Sequence, residues 1–182
     1  MTNQILSNRR DAGKRLATKL LNYSNDDNTV VLALPRGGVP VAFEIAQKLN
    51  LSLDVCIVRK LGAPGNRELA IGAIALDQSL ILHQDWLKQH KITSAQVKQI
   101  IEQEQQELIR RDRLYRQGTS RRSLEGCQVI LVDDGIATGA TIRAAIALIQ
   151  QQQPQSLILA VPVLPLELVK TLQQEVDQLV YL

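Results

Sequence analysis

The chain has 182 residues, of which 45% are hydrophobic and 21% charged, a composition typical of a globular protein with one hydrophobic core. A net charge of +3 is too small to indicate nucleic acid or a membrane as a partner. The apolar runs are shorter than the roughly 18 residues of a membrane-spanning helix, and the N-terminus lacks the apolar stretch of a secretory signal, so we expect a cytoplasmic protein.

Five short apolar runs rich in β-branched residues predict buried strands. They are residues 30–34, 53–58, 128–132, 157–163 and 178–182. Apolar residues three or four apart, or at multiples of that spacing, predict the helices between them. These residues are Ala12, Leu16 and Leu20; Val41, Ile45 and Leu49; Ile142, Ile146 and Ile149; and Leu168, Val169 and Leu172. The alternation predicts an α/β fold with a parallel twisted sheet flanked by helices. Cys56 and Cys127 lie in or beside the strands without metal-ligand spacing, so we expect buried free thiols.

An insertion at about 61–127 interrupts this alternation within a single domain predicted to span residues 1–182. Residues 68–75 and 79–86 resemble a pair of strands, which predicts a β-hairpin with its turn near Asp77.

A long helix is predicted over residues 93–118 of the insertion. Thr93 suits the N-terminal cap because Gln96 follows three residues later, and Gly118 suits the end of the helix. The apolar stripe of this helix is narrow, so we expect the helix to lie on the domain or on a partner, and we expect a homodimer.

Two adjacent acids stand in the stretch "VILVDDGIATGAT", residues 129–141. Asp133 and Asp134 follow a predicted strand, where parallel sheets bind ligands, and the Gly- and Thr-rich residues then enter a helix whose first N–H groups suit phosphate. Carboxylates beside a phosphate would repel it unless they bind sugar hydroxyls or a metal shared with the ligand. We interpret the stretch as a ribose phosphate site; an ordinary turn with an Asp cap, or the Mg-binding patch of a phosphatase, are the alternatives.

In this stretch the sequence resembles the type I phosphoribosyltransferases, whose signature is an apolar strand, two acids and a Thr/Gly-rich loop. The resemblance implies their fold and the transfer of the 5-phosphoribosyl group from 5-phosphoribosyl 1-diphosphate (PRPP) to a nucleobase-like acceptor, with release of pyrophosphate. It implies Mg2+ as a cofactor held mainly through PRPP, and ribose hydroxyls bound by Asp133 and Asp134. The phosphate contacts that it implies are Ala137, Thr138, Gly139, Ala140 and Thr141.

A second loop follows the first predicted strand at "LPRGG", residues 34–38. Arg36 supplies a cation, and Gly37 and Gly38 let the backbone fold tightly against an anion, although an ordinary turn would show the same pattern. The resemblance implies that these three residues bind pyrophosphate, and that the peptide bond before Arg36 is cis.

Arg59 and Lys60 come at another predicted strand end, where they could reach the same diphosphate or lie solvated on a turn. The Pro and Gly residues between Gly62 and Asn66 predict a mobile lid, and the family closes a flexible loop over PRPP in this region. Catalysis in the family means stabilising the leaving diphosphate and the positive charge on ribose. The residues expected to do so are Asp133, Asp134, Arg36, Arg59 and Lys60.

Two departures from the family pattern concern the acceptor. Ala137 stands where enzymes for 6-oxopurines carry an acid, so the loop is similar to the adenine type. Family members build their acceptor pocket partly from the chain ends and continue past the equivalent of "QLVYL" (178–182), so we expect acceptor recognition to differ.

A regulator of the same fold, binding PRPP or nucleotides with little or no turnover, is the alternative interpretation. Residues 110–122 carry six arginines and one acid, which could contact an RNA backbone. Arginines near a helix C-terminus also suit a solvated helix end, which is the interpretation that we favour.

Overall fold

A computed structural model describes residues 5–76, 79–120 and 122–182. The elements in chain order are α1 (Arg9–Thr18), a 3-10 turn (Leu21–Tyr23), β1 (Thr29–Ala33), α2 (Gly38–Leu49), β2 (Ser52–Val55), β3 (Val58–Ala63), β4 (Asn66–Ala75), β5 (Leu80–Leu82), α3 (Gln84–Gln89), α4 (Ser94–Arg116), β6 (Gln128–Val132), α5 (Ala140–Gln150), β7 (Ser156–Ala160), α6 (Leu166–Glu175) and β8 (Gln178–Val180).

The chain divides into two compact units. The first contains the residues up to Cys56 together with 122–139 and 152–182, and the second contains 57–121 and 140–151. The single domain with an insertion at about 61–127 stays a prediction.

The first unit is built on a five-stranded sheet in the order β2-β1-β6-β7-β8, with every neighbouring pair parallel. All five residues of β1 are buried, as expected for a strand with both faces covered. Ala33 pairs with Val132, so β1 and β6 end at the same level of the same edge. The predicted parallel sheet flanked by helices is confirmed.

Helices α1 and α2 pack together in the first unit. The Asn8 side chain accepts a hydrogen bond from the Asp11 amide at 3.0 Å and so caps the start of α1. A Cβ atom on Gly13 would lie 2.5 Å from the Val41 carbonyl oxygen, so only glycine permits this approach of the two helices. Their buried faces join the sheet in one core that includes Leu16, Leu20, Val41, Ile45, Leu49, Val31, Ile130 and Ile158.

Four of the five predicted strands end earlier than the apolar runs suggest, β1 by one residue and β8 by two. The run 157–163 is a strand only as far as Ala160, two residues before Pro162, which cannot donate to a ladder. The run 53–58 divides, because Cys56 still donates to Ala33 at 2.8 Å in the first unit whereas Val58 begins β3 in the second. Both cysteines are buried free thiols, as predicted.

The second unit contains the antiparallel sheet β3-β4-β5 with α3, α4 and α5. Pro64 and Gly65 form the turn between β3 and β4, and Gly65 has φ +77°, a left-handed conformation that favours glycine. The residues predicted as a lid thus form the tip of a hairpin. The second predicted strand, 79–86, was too long, because only Leu80–Leu82 is strand and α3 follows at once. The turn predicted near Asp77 lies outside the described residues.

The long helix predicted over 93–118 is confirmed as α4, with both hydrogen bonds of the capping box between Thr93 and Gln96. Val97 and Leu108 are buried, whereas Leu114 is exposed. Within the described ranges, no helix is long and apolar enough to cross a membrane.

Candidate functional site

The two predicted loops begin side by side at the edge of the parallel sheet. The Leu34 amide donates to the Val132 carbonyl oxygen at 2.9 Å, which continues the pairing of β1 and β6 one residue beyond β1. Beyond this bond, the loop after β1 enters α2 through Pro35, Arg36 and Gly37. The loop after β6 begins with Asp133. The peptide bond between Pro35 and Arg36 is cis, as the resemblance implied.

Gly37 and Gly38 are small because the acid pair lies against them. A Cβ atom on Gly37 would overlap the Asp134 carboxyl group. A Cβ atom on Gly38 would lie 2.6 Å from the Val132 carbonyl oxygen and 3.0 Å from the Asp133 Cα. The structure therefore brings Gly37, Gly38, Asp133 and Asp134 together in the first unit, while Arg36 is exposed beside them.

The two acids differ in their surroundings. Burial, together with the adjoining Asp134 carboxyl group, raises the pKa of Asp133 to about 7 against the opposing effect of the Asp134 amide. That amide donates to Asp133 Oδ1 at 2.8 Å. Near neutral pH, Asp133 is therefore close to its titration midpoint.

Arg9 is a member of this site that sequence reasoning missed. Its Nε and Nη2 atoms each lie 2.7 Å from Asp134 Oδ2, and the arginine side chain is 60% exposed. The two residues are 125 positions apart, so no local pattern could pair them. The capped start of α1 places the arginine in the first turn of that helix.

The predicted phosphate loop starts in the first unit and continues into α5. Ile136 is buried and donates to the Val163 carbonyl oxygen at 3.0 Å, which anchors the start of the loop. Ala137 and Thr138 are exposed, and Gly139 has φ +79°, where glycine is favoured. The remaining predicted contacts, Ala140 and Thr141, are the first two residues of α5, and both are exposed. Amides at such a helix start are suited to an anion.

Arg59 and Lys60 lie on β3 in the second unit. Arg59 Nε is 2.6 Å from Glu104 Oε2, which forms an ion pair with α4. The two residues are 45 positions apart, so no local sequence pattern indicates this pair. Both basic residues line a groove of about 430 Å³ between the β3–β4 hairpin and α4, together with Gln99 and Gln103. Their contact with diphosphate stays a prediction.

The arginine-rich end of α4 is occupied by ion pairs. Arg110 and Arg111 contact Glu107 at 2.7 and 2.8 Å, and hold the pKa of this glutamate down at about 2. Arg116 contacts Asp112 at 2.8 Å. Ion pairs three and four residues apart are common on solvated helix surfaces, and the preference for a solvated helix end over an RNA contact stays a prediction.

Comparisons with known proteins agree with the fold and with the motif. A family profile described as "Phosphoribosyl transferase domain" matches residues 1–179. Curated proteins from two strains of Mycobacterium tuberculosis, both named "Putative phosphoribosyl transferase", are 41% identical over 179 residues, which is 98% of this chain. The chain spans 40% of the length of these relatives.

Solved structures extend the comparison to three dimensions. The crystal structure of TT1426 from Thermus thermophilus matches with a TM-score of 0.83 and 38% identity, over 96% of this chain and 82% of that one. A purine phosphoribosyltransferase from Pyrococcus horikoshii shares the fold, with a TM-score of 0.53 and 18% identity over 95% of this chain and 81% of that one. With the two loops, the acid pair and the parallel sheet in place, the chain belongs to the phosphoribosyl transferase domain family.

Proposed function

We propose that this protein transfers the 5-phosphoribosyl group from PRPP to a nucleobase-like acceptor and releases pyrophosphate. The observation that carries the proposal is the close packing of the Asp133–Asp134 pair against Gly37 and Gly38 at neighbouring strand ends. Family membership supports PRPP-dependent transfer in general, and the acceptor class is our extension of it.

The acid pair would bind the ribose hydroxyls of PRPP. A hydroxyl is a neutral donor, and carboxylate oxygens are acceptors, so this assignment lets the acids lie beside an anionic ligand without direct repulsion. As the ribose ring becomes positively charged, the negative charge of the pair would also stabilise it.

The anionic ends of PRPP would be bound mainly by backbone and basic groups. Arg36 with the backbone of Gly37 and Gly38 would bind the diphosphate, and residues 137–141 would bind the 5-phosphate. Arg59 and Lys60 would bind the leaving pyrophosphate.

The reaction breaks the bond between ribose C1 and a diphosphate oxygen, and forms a bond between C1 and an acceptor nitrogen. The departing pyrophosphate keeps the electron pair of the broken bond, and the proton of the acceptor N–H passes to solvent. When bound, Mg2+ neutralises part of the charge on the diphosphate.

The residues at the acid pair fit a metal ion held mainly by the ligand. Of the residues that the structure describes, no group of three or more His, Cys, Asp and Glu side chains is arranged to hold a metal ion. Asp133 and Asp134 supply only two carboxyl groups, and Arg9 already contacts one of them. We therefore expect Mg2+ to enter together with PRPP.

The names of two proteins that share this fold guide the choice of the first acceptors to test. One is named a purine phosphoribosyltransferase, and another, from Staphylococcus aureus, is named a hypoxanthine phosphoribosyltransferase. Purine bases are therefore the first acceptors to test, and a role in nucleotide salvage would follow from a positive result.

The test measures pyrophosphate release from PRPP and Mg2+ with adenine, guanine, hypoxanthine, xanthine, uracil and orotate in turn. We expect release with one class of base, and a loss of roughly 100-fold or more in kcat/KM when Asp133→Asn and Asp134→Asn are combined, because two charged hydrogen-bond acceptors are removed. The charge-matched control is Glu125→Gln with Glu167→Gln, two exposed acids that should leave turnover unchanged.

The same measurements separate the enzyme from a regulator. Release that is insensitive to the double Asp variant would contradict the site. Tight PRPP binding in calorimetry, without release for any of the bases, would support the regulatory alternative.

A further inference from the structure

The Arg9 guanidinium contacts the Asp134 carboxylate through two nitrogen atoms. We propose that Arg9 is a positioning residue for PRPP, which holds the Asp134 carboxylate against Gly37 and directs its remaining acceptor oxygen to a ribose hydroxyl. This inference rests on the proposed function and adds a residue from α1 to the site.

Both donor atoms of Arg9 contact one and the same oxygen. Nε and Nη2 lie 2.7 Å from Oδ2 of Asp134, and each carboxylate oxygen has about two lone pairs to share. The two N–H groups therefore fill Oδ2, and the acceptor positions that remain on this carboxylate belong to Oδ1.

The two acids contact each other through the backbone, because the Asp134 amide donates to Asp133 Oδ1 at 2.8 Å. A ribose hydroxyl can donate to Oδ1 of Asp134 while the guanidinium keeps its hold on Oδ2. Arg9 thus stays in place through binding and fixes the orientation of the carboxylate.

The position of Arg9 is determined by packing and not only by its side chain. Asn8 caps α1 one residue earlier, and Leu16 of the same helix is fully buried in the core. Gly13 allows α1 to lie directly on the backbone of α2 at Val41. A Cβ atom on Gly37 would overlap the same carboxyl group, so the Asp134 carboxyl group lies against both Arg9 and the residue that begins α2.

We expect the positive charge of Arg9 to contribute more to PRPP affinity than to folding stability. The arginine side chain is 60% exposed, and ion pairs of exposed side chains contribute little to folding stability. Two acids next to a ligand with several negative charges would repel it, and the guanidinium offsets one of them.

The experiment is calorimetric titration of the full chain with PRPP and Mg2+. Arg9→Ala should weaken binding about 10-fold, because an oriented charged contact is lost, and Arg9→Lys should recover part of that loss. The matched control is Arg10→Ala, one residue along the same helix, whose side chain approaches Glu44 at 3.9 Å. This control should bind PRPP like the wild type.

A double-mutant cycle shows whether Arg9 acts through Asp134. In an Asp134→Asn background, we expect Arg9→Ala to cause no further loss of PRPP affinity. Pyrophosphate with Mg2+ alone, which has no ribose hydroxyls, should be weakened less by Arg9→Ala than PRPP is.

Each other outcome has a distinct meaning. If the wild type binds PRPP and Arg9→Ala binds it equally well or more tightly, the positioning role is wrong. The proposed function would then still stand. An equal loss in the Asp134→Asn background, or for pyrophosphate, would show general attraction of anions and would also overturn it. No PRPP binding by the wild type would overturn the proposed function and this inference together.

Discussion

Asp133 is a residue whose ionisation the fold changes strongly. Burial first, and then the Asp134 carboxyl group, raise its pKa from 3.8 to about 7. Because the folded pKa is the higher one, the folded chain binds more protons than the unfolded chain between these two values, so this group's contribution to stability falls as pH rises through that window. We expect the wild-type Tm to fall between about pH 4 and about pH 7, and to fall less in Asp133→Asn.

Thermal unfolding followed by circular dichroism at several pH values measures this effect. Glu125→Gln removes an exposed carboxyl group of the same unit and serves as the control. We expect its Tm to depend on pH as that of the wild type does. Equal slopes for Asp133→Asn and the wild type would show that Asp133 ionises normally in the folded protein.

The start of α2 packs against the end of β6 at two adjacent glycines. These two glycines make room for different groups. An alanine at Gly37 meets the Asp134 carboxyl group, a side chain that can rotate away from Arg9. An alanine at Gly38 meets the Val132 carbonyl oxygen, which belongs to a strand paired on both sides. We expect Gly37→Ala to lose about 10-fold in PRPP affinity with little change in stability, and Gly38→Ala to lose about 1–3 kcal/mol of folding free energy.

Urea unfolding and calorimetry on the two variants test this contrast. Gly37 has φ −63° and ψ −37°, which any residue can adopt, so a loss of affinity there reports the overlap and not backbone strain. Wild-type PRPP affinity in Gly37→Ala would mean that Asp134 need not keep its place for binding.

Elements with a continuous or periodic apolar pattern could be predicted from sequence, whereas β3 and α3 could not. The bounds predicted for β6, residues 128–132, match the structure because a strand buried on both faces must be apolar throughout. β3 was missed as a separate strand because "VRKLGA" has two adjacent, partly buried charges and a glycine, and Arg59 pairs with Glu104 on a helix distant in sequence. The first residues of α3 were assigned to a strand because they directly follow the apolar run "LIL" of β5.

At the scale of the whole molecule, the local motifs of the candidate site could be predicted, but its distant contacts could not. The acid pair and the glycine loop are each a short stretch after a strand, and neighbouring parallel strands bring such stretches to one edge. Arg9 reaches Asp134 only because α1 packs on α2, which no spacing in the sequence records. Whether Thr138 contacts phosphate also depends on a ligand, so this assignment stays a prediction.

The largest-scale feature that we propose is the oligomeric state of the protein. Substitutions in α4 test it most directly. Leu108 of this helix is fully buried in its own unit, whereas Ile109 and Leu114 are 41% and 57% exposed. Apolar side chains left in water on a long helix suit burial against a second copy, and we propose a homodimer that uses α4. Sedimentation velocity over a range of concentrations should show a dimer.

Ile109→Glu combined with Leu114→Glu should weaken that dimer about 100-fold or more, because burying each apolar side chain contributes about 1.5–3 kcal/mol and the new charges would have to be buried unpaired. Leu166→Glu is the matched control, since this leucine is 83% exposed on α6 of the other unit. A double variant that sediments as the wild-type dimer would place the interface elsewhere, and a wild-type monomer at every concentration would contradict the homodimer itself. If the dimer dissociates while pyrophosphate release per chain is unchanged, each copy works alone, and the exposed residues of α4 serve assembly and not catalysis.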